Sequence, residues 1–190
     1  VHNISINNIA LILQISRQSV SKVLRKIGDK LDTNYYCNLP KLGGENIIVE
    51  IDESKFGKGK FNRGPHVYGV WVFGVVERTP QRKILLFPVE KRYRATLFDL
   101  INKYIKKQSI IYSDGWRAYN TLHLIGYYHY VVNHSIGFVN PLDGVHTNTI
   151  EGNWSSVKAS ITKRRRVLTK IGSYLVKYMV KRNELGDFET

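Results

Sequence analysis

Two short β-branched runs, each leading into an aspartate, constrain what this chain can fold into more than any other feature. Ile47-Ile48-Val49-Glu50-Ile51 runs into Asp52, and Ile110-Ile111-Tyr112 is followed by Ser113 and Asp114. Apolar runs of this length, bounded by polar or glycine-rich segments, read as buried strands. Two more strands lie between them: the long aromatic and β-branched stretch Val67–Val76, and Ile84–Val89. Three strands in succession predict an antiparallel meander. Ala95–Lys107 then carries Leu97, Leu100, Ile101, Tyr104 and Ile105 at helical spacing. Beyond Asp114 the pattern predicts a short helix over Trp116–Leu122, a strand over Tyr127–Val132, a polar loop, a helix from about Thr149 to Lys163 and a last helix over Lys170–Asn183. The order β-β-β-α-β-α-β-α-α is that of a mixed α/β sheet with helices on its faces.

The first part of the chain has a different character. Ile9, Ala10 and Leu13, then Val20, Val23, Leu24 and Ile27, recur at helical spacing on either side of a break at Gln14-Ile15-Ser16. Ser16 is placed to cap the second helix by accepting the N–H of Ser19 or its neighbour. Arg17, Gln18, Ser21, Lys22, Arg25 and Lys26 leave that helix a basic outer face. This is the layout of a helix-turn-helix, whose second helix carries donors into the major groove, and equally of an amphipathic hairpin with a solvated basic face. Residues 33–46, with Asn34, Asn38, Pro40, Gly43 and Gly44, show no sustained period and read as a linker. The expected organisation is therefore a helix-turn-helix over 1–32, a linker over 33–46 and one α/β domain over 47–190. The chain opens at Val1 and runs at once into an apolar-periodic stretch, so a preceding segment is expected.

The 29 lysines and arginines stand against 15 aspartates and glutamates, a formal net charge of +14. Such a surplus calls for a polyanionic partner, nucleic acid or an anionic membrane, and nucleic acid is the better fit. No apolar run approaches the roughly 18–20 residues of a membrane span, and no signal segment is visible, so a soluble protein is expected. Cys37 is the single cysteine, which leaves no disulfide framework and no cysteine-based zinc site.

Asp52 and Asp114 occupy equivalent places after strands, where the edge of an α/β sheet opens onto its ligand crevice. Each also suits a turn, Asp114-Gly115 as turn and helix cap. A third carboxylate, Glu151, lies in His146-Thr147-Asn148-Thr149-Ile150-Glu151-Gly152-Asn153-Trp154. Ile150, Trp154, Val157 and Ile161 mark the buried stripe of that helix, and Glu151 and Lys158 project on one adjacent face. Glu151 can complete a three-carboxylate site with Lys158 holding a phosphate. It can equally form a capping box with Asn148. Hard oxygen ligands without paired histidines point to Mg²⁺ or Mn²⁺. Two such ions at Asp52, Asp114 and Glu151 would serve phosphodiester cleavage. Lys58, Lys60 and Arg63 in one basic segment, and Arg164, Arg165 and Arg166 in another, would neutralise the DNA backbone, beside Arg17, Gln18 and Lys22 of the helix pair. The alternatives are solvated basic loops and, for Lys163–Arg166, a nuclear-import signal.

The run Val49-Glu50-Ile51-Asp52-Glu53-Ser54, then Tyr112-Ser113-Asp114-Gly115-Trp116, then His146 to Trp154, resembles the Merlin superfamily of DDE transposases and its bacterial ISXO-type insertion-sequence relatives, over about Ile47 to Arg166. The resemblance implies a ribonuclease H-like fold, Asp52, Asp114 and Glu151 as the catalytic triad, and Lys158 as the basic residue downstream. It implies a transposase cleaving and joining DNA at terminal inverted repeats and target DNA, as a homodimer or higher oligomer. The setting would be the nucleus in a eukaryote or the nucleoid in a bacterium. Relatives usually carry a cysteine-rich zinc-binding segment ahead of the helix-turn-helix, and this sequence has none. The competing expectations are a domesticated or decayed copy that binds DNA without cutting, and a nuclease of the same fold unrelated to transposition.

Overall fold

The computed structural model describes residues 4–57, 69–132 and 145–184. The chain divides into two compact units, Val1–Leu39 and Pro40–Thr190. The first holds α1 (Ile6–Leu13) and α2 (Arg17–Cys37). Both start on a serine whose hydroxyl accepts a backbone N–H three residues on, Ser5 from Asn8 at 3.1 Å and Ser16 from Ser19 at 3.0 Å. The break falls at Gln14, which takes the left-handed conformation (φ 53°) that usually belongs to glycine at the end of a helix. Among the described residues of these two helices only Val20 is buried.

The boundary after this unit differs from the expected one. α2 does not stop at residue 32 but continues through Cys37, because Asp32-Thr33-Asn34-Tyr35-Tyr36 contains no residue that breaks a helix. It ends just ahead of Pro40, which disfavours the helical conformation at Leu39. From Pro40 on, the expected linker belongs to the second unit. Buried Leu42 donates to the Tyr104 carbonyl at 2.8 Å and accepts from Lys106 at 2.9 Å, forming a bridge beside Ile105.

The second unit is built on five strands: β1 (Ile48–Phe56), β2 (Val70–Glu77), β3 (Ile84–Val89), β4 (Ile110–Asp114) and β5 (Tyr128–Val132). Their order is β3-β2-β1-β4-β5. The first three form the antiparallel meander, while β4 runs parallel to β1 and β5 parallel to β4. An antiparallel meander continued on its first strand by parallel strands is the ribonuclease H-like arrangement. Of the expected long strand from Val67, residues 67 and 68 lie outside the described part. The expected helix over Trp116–Leu122 is instead two short 3₁₀ turns, Arg117–Tyr119 and Leu122–Ile125, the second closed by Gly126 at φ 86°.

Helices α3 (Arg94–Tyr104), α4 (Asn148–Ser160) and α5 (Leu168–Glu184) complete the unit. Leu97, Ile101 and Tyr104 are the buried residues of α3, and the Tyr104 ring stacks on Phe87 of β3 at 4.5 Å. α4 lies against β1 and β2 through Ile150, Trp154 and Val157, and α5 covers β3 through Ile171, Leu175 and Met179. β2 is sandwiched between helices and reads as an unbroken buried run from Val72 to Val76. Among the described residues no helix is long and apolar enough to cross a membrane.

β3 is an edge strand, and an edge leaves backbone groups to be satisfied. Asn183 on α5 does this at Ile84: its side-chain oxygen accepts the Ile84 N–H and its amide donates to the Ile84 carbonyl, both at 2.8 Å. Asn183→Ala removes both bonds and is expected to cost about 1–3 kcal/mol. Urea unfolding measures the loss, and amide exchange should quicken at Ile84 before the central strands.

Candidate active site

The parallel pairing of β1 with β4 fixes the first two carboxylates. Ile48 stands beside Ile110, Val49 beside Ile111 and Glu50 beside Tyr112. The same register carried two residues further sets Asp52 level with Asp114 on one face of the sheet. Asp52 does not follow the end of its strand as expected. β1 runs on to Phe56 because it pairs with antiparallel β2 beyond the reach of β4, leaving Asp52 within the strand. Asp114 is the last residue of β4, and its carboxylate accepts the Trp116 N–H at 3.1 Å. The turn role weighed for it is thus real and leaves its second oxygen available.

Helix α4 is set against these strands by a buried charge. Glu50 is 0% exposed. One of its oxygens accepts the Ile150 N–H in the first turn of α4 at 2.9 Å, and the other accepts from Arg78 Nε. Arg78 Nη2 donates onward to the carbonyl and Nδ1 of His146, both at 2.6 Å. His146 Nδ1 also accepts the Asn148 N–H at 3.3 Å, so the ring proton belongs on Nε2. The capping box weighed as the alternative for Asn148 and Glu151 therefore does not form. The helix begins one residue earlier, at N-cap Thr147, and the N–H groups a cap would satisfy go to Glu50 and His146. Glu151 instead accepts a hydrogen bond from the Thr147 hydroxyl at 2.7 Å.

Asp52 is held from α4. Trp154 Nε1 donates to its carboxylate at 2.7 Å. The indole reaches that point across Gly74, the β2 residue paired with Asp52, where an added Cβ would come within 2.6 Å of the Trp154 ring. Burial pushes the Asp52 pKa up to about 6, and the charges of Asp114 and Glu151 add to the rise against the Trp154 and backbone hydrogen bonds. Those two acids are therefore near enough to act on it. Lys158, on the same helix, lies 5.4 Å over the Phe56 ring. Its pKa is lowered by burial and by Arg166, against a rise from Asp52.

Sequence reasoning missed three groups here. Glu50 shares the Asp52 side of β1 by simple alternation, which was a usable signal. Glu53 has a side chain only 2% exposed, with Arg92 at 3.6 Å and one oxygen without a hydrogen-bond partner. Burial, then Asp52 and Asp114, push its pKa up to about 8. Arg92 itself lies far from both aspartates in sequence, and nothing local pointed to it.

Among the described residues no three His, Cys, Asp or Glu side chains are arranged to hold a metal ion. Glu151 leans on Thr147 and Asp52 on Trp154. The donor chemistry nevertheless fits a hard divalent cation: the acids are all oxygen donors, and mutual repulsion and burial leave them short of positive charge.

Of the basic residues, Arg17, Gln18 and Lys22 line an open concavity on α2 with Ser21 and Arg25. Lys58, Lys60 and Arg63 lie outside the described residues. Arg164 and Arg165 are exposed in the 3₁₀ turn Lys163–Arg165. The Arg166 guanidinium donates to the Lys158 and Ile161 carbonyls and closes the C-terminal end of α4.

The sheet and its covering helix, with coupled acids on both, put the chain in the class of ribonuclease H-like proteins. Within it, this chain belongs to the ISXO2-like transposase domain family, which residues 42–181 match. That agrees with the insertion-sequence side of the resemblance. No curated protein matches the chain. Among solved structures, the catalytic core domain of BIV integrase is 11% identical with a TM-score of 0.43, covering 72% of this chain and 83% of its own. A pre-cleavage Mos1 transpososome is 12% identical (TM-score 0.27), and a Mos1 transposase paired-end complex with the left transposon end is 14% identical (TM-score 0.27). Each covers 97% of this chain and 73% of its own.

Raised carboxylate pKa values make folding depend on pH. The folded state holds these protons more tightly, so their stabilising effect is full below about pH 4. It is lost as pH climbs through about 6 for Asp52 and about 8 for Glu53. Asp52→Asn keeps an acceptor for Trp154 and removes one charge. In metal-free buffer it should stabilise the protein by about 3 kcal/mol at pH 8 and by almost nothing at pH 4. Denaturant unfolding at the two pH values measures this, and equal effects at both would remove Asp52 from the coupled cluster.

Proposed function

We propose that this protein is a DNA transposase that cleaves phosphodiester bonds at transposon ends and joins them to target DNA, with Asp52, Asp114 and Glu151 as its acids. The observation that carries this reading is the coupling of Asp52 to both other acids across β1, β4 and α4, in a chain of the transposase family. Asp52, Asp114 and Glu151 would hold Mg²⁺ or Mn²⁺, in a two-ion arrangement. When bound, these ions activate water and stabilise the leaving oxygen.

The chain's own groups prepare that chemistry. Trp154 and the Trp116 N–H each fix one oxygen of an aspartate, and the Glu50–Arg78 pair sets the start of α4 and with it the height of Glu151. Lys158 stands where it can meet a phosphate beside Asp52. The net charge of +14 supports a DNA partner, and the basic face of α2 supports recognition through a helix-turn-helix.

Asp52→Asn, Asp114→Asn and Glu151→Gln should each abolish Mg²⁺-dependent nicking of the cognate ends while DNA binding survives. The parent, and none of these variants at full strength, should gain thermal stability on adding Mg²⁺ or Mn²⁺. Glu151→Gln that cuts like the parent would remove Glu151 from the triad. A parent that binds DNA tightly and never cuts would put the domesticated binder in the enzyme's place.

Arg17→Ala and Lys22→Ala should each weaken binding to the cognate end, by about 1–3 kcal/mol where a base-reading contact is lost. Affinity should fall steeply with salt in a filter or anisotropy titration. Unchanged affinity and selectivity in both variants would leave α1 and α2 as packing elements.

A further inference from the structure

We propose that the loop joining β3 to α3, together with Trp71 and Trp116, is a binding site for an unpaired stretch of DNA beside the carboxylates. This rests on the function proposed above and specifies the form of DNA that the site takes.

The loop's Lys91-Arg92-Tyr93 leads into Arg94, the first residue of α3, so that an aromatic ring is set among three cations in sequence. Tyr93 is 62% exposed, and Lys91 Nζ lies 5.4 Å from its ring centroid. The Arg92 side chain is 40% exposed, its guanidinium 4.2 Å from the Trp71 ring and 4.8 Å from the Trp116 ring. Glu53 lies 3.6 Å from it. A planar cation held between two indoles is oriented before any ligand arrives, which suits it to a phosphate. Lys55 adds a further cation 5.5 Å from the Trp71 ring.

The site adjoins the acids. The Trp116 backbone N–H donates to Asp114, and Arg92, against the Trp116 ring, pairs with Glu53, the neighbour of Asp52 in β1. A strand whose phosphate reaches Asp114 would thus have its neighbouring nucleotide at Trp116 and Arg92. In duplex DNA the base faces are hidden in the stack, and backbone recognition needs only cations and hydrogen-bond donors. Cations interleaved with aromatic rings instead fit a strand whose base faces are open. Packing accounts for the half-buried Trp71, but it does not account for an exposed Tyr93.

The test uses the full chain without added divalent ion and fluorescently labelled duplexes of one sequence, blunt or with a single-stranded overhang carrying 2-aminopurine. The overhang should tighten binding to the parent, and stacking should quench the 2-aminopurine. Tyr93→Ala and Trp116→Ala should each reduce the overhang's advantage by about tenfold, the loss of one base–aromatic stack. Tyr93→Phe and Trp116→Phe should keep most of it. Arg92→Lys should lower it, because an ammonium cannot lie flat between the indoles. Exposed Tyr93 carries the test even where Trp116→Ala fails to fold. Equal binding of the two DNAs by the parent overturns the inference, as does an overhang advantage that survives Tyr93→Ala. A parent that binds neither DNA overturns the proposed function as well.

Discussion

A single buried carboxylate, Glu50, ties the helical layer of this site to the sheet. Taking a charge out of water is costly, and Glu50 offsets that cost by accepting from Arg78 and from the first turn of α4. Replacing such a pair with apolar groups can be neutral for stability, but removing one partner typically costs about 3–5 kcal/mol. The pair therefore contributes position more than net stability. Apolar contacts of Ile150 and Val157 would let α4 slide along β1. The bond from Ile150 N–H to Glu50 sets one register, and Glu151 follows as the next residue in the chain.

The acids pull the other way. Asp52, Asp114, Glu151 and Glu53 approach one another in a partly buried region, and two of them have pKa values raised toward neutrality or beyond. Left to themselves these charges would spread apart. Rigid neighbours resist this: Trp154 seated over Gly74, the Trp116 backbone after β4, and Arg92 braced between indoles. Functional sites commonly hold strain of this kind against the stability of the surrounding fold. Here the same cluster that disfavours folding at high pH is what would attract a cation.

Much of this was legible in the sequence. Alternation and β-branched runs marked all five strands, and the shared relation of Asp52 and Asp114 to their runs pointed to one common site, although Asp52 lies inside β1 and not at its end. Boundaries were less legible where two local tendencies competed. Asp32 to Asn38 is polar enough to be a loop, yet without glycine or proline it extends α2. Trp116 to Leu122 reads as one short helix, but the segment is broken at Asn120-Thr121 into two 3₁₀ turns. Glu151 posed a different difficulty, because its spacing from Asn148 fits a capping box equally well. Only Glu50, arriving from another strand, shows that the cap's work is done elsewhere.

By itself the sequence determined the strand order in time, the basic character and the family. These are properties of local pattern and composition, carried by neighbours along the chain. Tertiary structure alone decided the register of β1 against β4, the buried Glu50–Arg78–His146 link, the seating of Trp154 on Gly74, and the gathering of Trp71, Trp116 and Glu53 around Arg92. Each joins residues far apart in sequence, and the energy that selects it is the desolvation and pairing of charges, which arises only once the sheet has closed around them.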